Sequence, residues 1–330
     1  MKEPKPIVEI AATGRWLPER VVTNADLEKE LDTSDAWIRE RTGIRERRIA
    51  GPEVGAADMG ARAARIAMKR AGVHAGEIDF IIVATATPDR LLPSTACDIQ
   101  AMLGATNAAA YDISAACSGF LFAMEIAEGH IAAGRGDLAL VISTEKMTGI
   151  VDWTDRSTAV LFGDGAGAAL VRRSSNGRGV MSSYIRSDGT LAELLWRPAG
   201  GVRIPMDAGV LERRDHLVKM AGREVFKHAV KAMADAADQA LVRAGLTGDD
   251  IDLFIPHQAN MRIIEATAKF AKIPMSKVYI NVDRYGNMSS ATIPVALDEA
   301  LEQGRIGPGD NVLMVAFGAG FTWASSVVRW

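Results

Sequence analysis

Three residues in this 330-residue chain have the types and settings for thiol chemistry: Cys117, His257 and Asn287. Cys117 lies in Ser114-Ala115-Ala116-Cys117-Ser118-Gly119-Phe120, after a strand predicted over Ala110 to Ile113 and at the start of an apolar helix. The N–H groups and macrodipole of a helix N-terminus favour an anion, so a thiol placed there is expected to have a lowered pKa. Such a thiol is a nucleophile and forms thioesters. A small cysteine filling core space would fit the same position. His257 follows a buried apolar run, Leu253 to Ile255, in Pro256-His257-Gln258-Ala259-Asn260. Asn287, in Tyr285-Gly286-Asn287, directly precedes a second apolar helix start. Taken alone, these two suit a loop histidine and a turn asparagine. Taken with Cys117, they suit a site that handles a thioester.

An internal repeat supplies the elements that bring them together. Ala71-Gly72-Val73 through Glu77-Ile78-Asp79-Phe80-Ile81-Ile82 resembles Ala244-Gly245-Leu246 through Asp250-Ile251-Asp252-Leu253-Phe254-Ile255, 173 positions later. Gly136-Asp137-Leu138-Ala139-Leu140-Val141 and Gly309-Asp310-Asn311-Val312-Leu313-Met314 lie at the same offset. Each unit reads as a helix ending on a glycine, a polar loop and an apolar strand buried on both faces. The offset pairs Cys117 with Ser290, beside Asn287. Helices starting at Ser118 and Ser290 are apolar nearly all round, as expected between two layers, and Pro294 is tolerated in a first turn. The architecture expected is two α/β halves, 1–174 and 175–330, joined in the polar run Arg172 to Gly179, with helices packed between their sheets. Gly163-Asp164-Gly165-Ala166-Gly167-Ala168 formally matches a dinucleotide fingerprint, but Ala168 to Val171 reads as a strand, so a tight turn between strands is expected. Ser187 to Asp215 reads as a long loop.

The formal net charge of −3 and pI near 6.0 argue against a general nucleic-acid binder, and leave room for a local basic patch facing an acidic partner. The two cysteines, Cys97 and Cys117, allow no disulfide framework, and no Cys/His spacing suggests a metal site. Cys97 reads as core, and His74, His130, His216 and His228 lack a motif context. Met1 to Thr13 has no signal-peptide core, and no run of about 18 apolar residues spans a membrane. A cytoplasmic protein is expected.

At the candidate residues the chain closely resembles the 3-oxoacyl-[acyl-carrier-protein] synthase III family. The resemblance runs through Asp32-Thr33-Ser34-Asp35-Ala36-Trp37-Ile38, Arg41-Thr42-Gly43-Ile44-Arg45, the Cys117 segment, Thr154-Asp155-Arg156, Phe162 to Gly167, Pro256 to Asn260, Gly286-Asn287 and Phe317-Gly318-Ala319-Gly320-Phe321-Thr322-Trp323. It implies the thiolase fold, a duplicated five-layer αβαβα sandwich, as a homodimer. It implies an acyltransferase that condenses acyl-CoA with malonyl-acyl carrier protein and uses no cofactor. Secondary-metabolite acyltransferases and quinolone-type condensing enzymes share the scaffold and stand as the alternative.

Site roles follow from the resemblance alone. Cys117 carries the acyl group, His257 and Asn287 act on the malonyl thioester, and the backbone amides of Cys117 and Ala319 form an oxyanion hole. Ala319 replaces the middle glycine of the family's usual three and keeps the amide. Trp37 and Arg156 flank the adenine of CoA, Arg41 meets phosphate, and Gly222 and Asn260 line the pantetheine tunnel. Leu92 and Phe317 shape the acyl pocket. Lys227, Arg262 and Lys269 face the carrier protein, although Phe270 stands where the family often has a basic residue. Thiolase chemistry itself requires a second active-site cysteine, which Cys97 does not match.

Overall fold

The computed structural model describes residues 6–330, so part of the Met1 to Thr13 segment lies outside the described residues. One sheet runs in the strand order Val8–Trp16, Asp164–Arg173, Leu138–Lys146, Phe80–Ala84 and Ala109–Ile113. The other runs Leu253–Pro256, Asn311–Gly318, Thr322–Arg329 and Gly179–Ser187. Because side chains alternate along a strand, an all-apolar run feeds two cores at once. Ile81 packs outward on Ala63, Ala67 and Ile99, from helices Ala56–Ala71 and Thr95–Leu103. Ile82 packs inward with Phe120, Met124, Ile293 and Leu297 of the middle helices Gly119–Ala132 and Thr292–Glu302. The second sheet mirrors this: Ile255 joins the middle layer, while Phe254 packs against helices Gly222–Ala244 and Met261–Phe270. These are the five layers of a duplicated αβαβα sandwich.

The 173-residue offset holds element by element. The outer helices end on left-handed Gly72 and Gly245, with φ of 67° and 70°. Strands start at Leu138 and Asn311, and middle helices at Gly119 and Thr292. Divergence is local. The place of the edge strand Ala109–Ile113 is taken in the second half by the short helix Val282–Tyr285, and this helix leads to Asn287.

Two expectations are corrected. Asp164–Arg173 is one continuous strand, with no turn in the glycine-rich run. Its glycines serve close approach: a Cβ on Gly165 would lie 2.7 Å from Met288 Sδ, and one on Gly167 2.7 Å from Pro294 Cβ. The Asn287 segment can therefore lie flat on the first sheet. Ser187 to Asp215 is not structureless either; it holds a 3-10 helix at Gly189–Leu194, strand Leu195–Trp196 and helix Ala208–Glu212.

Candidate active site

Each middle helix begins with a 3-10 turn, Ala116–Ser118 or Ser289–Ala291, and the two turns pack together at the centre. Ala116 and Ser289 hold left-handed backbones that non-glycine residues rarely adopt. The kink places Cys117 and Ser290 on the facing surfaces of the halves. A Cβ on Gly119 would meet those of Ala84 at 2.8 Å and Ser290 at 3.3 Å, so only glycine permits this contact. Gly318 is equally constrained: a Cβ there would lie 2.5 Å from the Cys117 nitrogen. The turn carrying Ala319 is thus held against Cys117. Ser118 Oγ donates to Thr322 O at 3.1 Å, and Thr322 Oγ1 donates to Ala115 O at 2.9 Å.

His257 extends strand Leu253–Pro256, its N–H donating to Val315 O at 2.7 Å. Its Nδ1 lies 2.6 Å from Thr292 Oγ1, the first residue of the second middle helix. Asn287 is locked to the first half: its N–H donates to Leu161 O at 2.8 Å, and its carbonyl accepts from Gly163 N at 3.1 Å. The side-chain Oδ1 accepts from Ser289 N at 2.8 Å, which directs Nδ2 as the free donor. Cys117, His257 and Asn287 all line one cavity of about 530 Å³.

Burial decides the electrostatics. The Cys117 thiol is pushed up to about 12 by desolvation, with the negative charge of Glu145 adding to the shift and a hydrogen bond from Ser289 opposing it. The lowered pKa expected from helix-start placement is therefore not found; removal from water outweighs the dipole. His257 is pushed down to about 3 by the same desolvation and is neutral. Glu145 is raised by burial. Its carboxylate accepts from Thr87 Oγ1 at 2.7 Å, Ala86 N at 3.0 Å and Ser290 Oγ at 2.8 Å, and so joins the two halves behind Cys117.

The cavity is lined by the buried Cys117, His257, Asn287, Phe162, Phe317 and Met233 and, at the solvent side, by the more exposed Trp37, Arg41, Gly222, Asn260 and Arg262. Trp37 is covered by two guanidinium groups, Arg41 at 4.8 Å and Arg156 at 5.2 Å from the ring centroid. Arg156 lies outside the cavity lining and donates to Asp32 O at 2.8 Å. Lys227 and Lys269 are exposed on adjoining helices and also lie outside the lining. Leu92 is 87% exposed and away from the cavity of its own chain. Sequence reasoning missed Thr292, Ser289, Glu145 and Arg223. The repeat offset was signal enough for Ser289 and Thr292, the counterparts of Ala116 and Gly119, and an acid closing the apolar strand from Leu138 was the signal for Glu145. Arg223, at the cavity mouth, has no distinguishing pattern.

A cysteine at the head of one buried helix, facing a histidine and an asparagine from the repeated half, defines a thiolase-fold condensing enzyme. Residues 111–189 match the family model of 3-oxoacyl-[acyl-carrier-protein (ACP)] synthase III, and residues 241–330 that of its C-terminal part. The chain is 52% identical over 321 residues to the β-ketoacyl-[acyl-carrier-protein] synthase III of Caldanaerobacter subterraneus subsp. tengcongensis, covering 97% of each. The crystal structure of the Aquifex aeolicus 3-oxoacyl-[acyl-carrier-protein] synthase III superposes with a TM-score of 0.91 at 45% identity, covering 98% of this chain and 100% of that one. The chain belongs to the 3-oxoacyl-[acyl-carrier-protein] synthase III family, acyltransferases of fatty-acid biosynthesis. A priming β-ketosynthase of the R1128 polyketide pathway also superposes with a TM-score of 0.91, covering 100% of this chain and 98% of that one. Its 36% identity makes the secondary-metabolite alternative the less favoured reading.

Proposed function

We propose that the protein joins an acyl-CoA primer, acetyl or short-chain, to malonyl-acyl carrier protein by decarboxylative Claisen condensation, through an acyl thioester on Cys117. The observation that supports this most directly is the convergence of Cys117, His257 and Asn287 at the inner end of one cavity whose mouth is basic and aromatic. In the first half-reaction the Cys117 sulfur attacks the thioester carbonyl. The S–H bond breaks, the CoA sulfur leaves, and that sulfur takes the proton. Backbone amides of Cys117 and Ala319 receive the oxyanion.

In the second half-reaction malonyl-carrier protein enters, and carbon dioxide leaves as the C–C bonding pair becomes the enolate. His257 Nε2 and Asn287 Nδ2 donate to the enolate oxygen. For neutral His257 to donate from Nε2, its Nδ1 must accept, so the single Thr292 hydroxyl proton, which also lies within reach of Ser289 O at 3.0 Å, must be turned to the imidazole at 2.6 Å. The carbanion then attacks the Cys117 thioester carbonyl, the carbon–sulfur bond breaks, and the departing Cys117 thiolate takes up a proton from water to return to the free thiol. Side chains and two thioester substrates supply this chemistry, and it takes no cofactor. Among the described residues, no group of three or more His, Cys, Asp or Glu side chains is placed to hold a metal ion.

Trp37 and Arg156 bind the adenine of CoA; Arg156 covers the ring, so a planar base entering between them must part them. Arg41 meets phosphate, and Gly222 and Asn260 flank the pantetheine arm. Lys227, Arg262 and Lys269 form the face for the acidic carrier protein. A homodimer is supported by the edge strand Ala109–Ile113, paired on one side only, and by exposed Leu91 and Leu92 nearby in sequence. In that dimer Leu92 closes the partner's acyl pocket opposite Phe317. No helix among the described residues is long and apolar enough to cross a membrane, and the thioester substrates fit a cytoplasmic enzyme. Mass spectrometry of the products from a panel of acyl-CoAs with malonyl-carrier protein tests the reading. A 3-oxoacyl-carrier-protein product is expected, and its absence with every primer refutes the proposal.

A further inference from the structure

We propose that Gln258 is a positioning residue that sets the spacing between the His257 imidazole and the Asn287 carboxamide. Gln258 is fully buried. Its Nε2 donates to Pro256 O at 2.8 Å and Tyr279 O at 3.1 Å, and its Oε1 accepts from Asn281 N at 3.0 Å and Val282 N at 3.1 Å. A carboxamide offers two hydrogens and two lone pairs on its oxygen, so this one is saturated and only one orientation fits. Pro256 directly precedes His257. Asn281 and Val282 begin the short helix that ends at Tyr285, and Gly286 alone separates that helix from Asn287.

The remaining links close a circuit. Glu299, on the helix Thr292–Glu302, accepts from Arg284 Nη1 at 2.6 Å, Arg284 Nη2 at 3.0 Å, Asn281 Nδ2 at 3.0 Å and Tyr285 Oη at 2.9 Å. Thr292, at the head of that helix, returns to His257 Nδ1 at 2.6 Å. The path from the His257 backbone through Gln258, the Val282–Tyr285 helix, Glu299 and Thr292 thus returns to the His257 imidazole. Asn287 follows it through Gly286 and is pinned on its other side by Leu161 and Gly163. In a buried network a missing member leaves its partners unsatisfied, so the segments shift to recover hydrogen bonds. Cys117 stands on the other half and is not a member of the circuit.

This inference rests on the enolate-stabilising roles proposed for His257 and Asn287. It predicts that loss of Gln258 slows decarboxylation without slowing acylation, because a misplacement of about 1 Å costs up to a hundredfold where two donors must meet one oxygen. Gln258→Met removes all four hydrogen bonds, and Gln258→Glu replaces only the donating nitrogen. Both variants, wild type and His257→Ala are assayed for transfer of radiolabelled acetyl from acetyl-CoA to Cys117 and for carbon dioxide release from malonyl-carrier protein. Both Gln258 variants should acylate at the wild-type rate while kcat for carbon dioxide release falls about a hundredfold, with KM for the malonyl substrate little changed. Parallel loss of both half-reactions, unchanged carbon dioxide release, or failure of both variants to fold overturns the positioning role. Undiminished carbon dioxide release from His257→Ala instead overturns the functional reading beneath it.

Discussion

Ala116 and Ser289, 173 positions apart in the chain, hold the same left-handed backbone within a few degrees, φ 44° and 47°. Each costs about 1 to 3 kcal/mol relative to a relaxed conformation. Each also directly precedes the residue that the kink turns towards the opposite half. In one repeat that residue is Cys117, the proposed nucleophile. In the other it is Ser290, which donates to Glu145, and the same turn holds Asn287 through the Ser289 amide. One backbone device, duplicated, builds the Cys117 side of the site and the Asn287 side.

Cys117→Ser should abolish acyl transfer. A serine hydroxyl is a far weaker acid than a thiol, and the burial that pushes the thiol to about 12 disfavours an alkoxide more strongly still. Incubation with radiolabelled acetyl-CoA should label wild type at Cys117 alone. Retained label in the variant refutes the assignment.

His257→Ala and Asn287→Ala should each lower carbon dioxide release from malonyl-carrier protein by about a hundredfold to a thousandfold, as for loss of one oxyanion donor. Acylation of Cys117 should survive in both. Equal losses in the two half-reactions would contradict the separation of roles.

Thr292→Val removes the hydroxyl facing His257 Nδ1 at nearly constant volume, and with it control of the imidazole tautomer. Decarboxylation should fall while acylation persists, and Thr292→Ser should restore it. Equal rates in the valine and serine variants would show that the tautomer is set elsewhere.

Stability should fall with acidification through His257. Its native pKa is depressed from 6.5 to about 3, so between those values the unfolded chain binds a proton that the native protein does not. The contribution is intact above about pH 6.5 and is lost progressively as the pH falls towards 3. Urea unfolding of wild type and His257→Asn at several pH values should show a shallower acid slope in the variant. Parallel slopes would assign the acid sensitivity to other groups.

Leu92→Phe should narrow primer use towards acetyl-CoA. Leucine is shorter and leaves more depth in the partner's acyl pocket, where each further buried methylene contributes about 0.8 kcal/mol. Wild type should accept propionyl, butyryl or somewhat longer primers. A comparison of kcat/KM for acetyl-, butyryl- and octanoyl-CoA checks this, and identical profiles in the two proteins remove Leu92 from the argument.

The fold was legible because its duplication is written in apolar strands and terminal glycines that recur at one spacing. Leu253 to Ile255 pointed to His257, and the offset from Cys117 pointed to the Ser290 turn beside Asn287. The glycine run at Gly163 misled because close approach by the other half, to Met288 and Pro294, leaves the same residue types as a turn. The state of the thiol was illegible for a related reason. Helix-start placement is a local property, whereas burial of Cys117 is set by both halves together and by Glu145, distant in the chain. Gln258 and Glu299 look like ordinary polar residues until their partners are known.

Burial of Cys117 bears on what else the sulfur can meet. Oxidants and stray alkylating agents react with thiolates, and their attack scales with thiolate character and exposure. Cys117, 8% exposed and held at about 12, offers little of either. A thiol so buried is a slower target for peroxide or iodoacetamide than an exposed one, and only a molecule slender enough to enter the cavity reaches its sulfur.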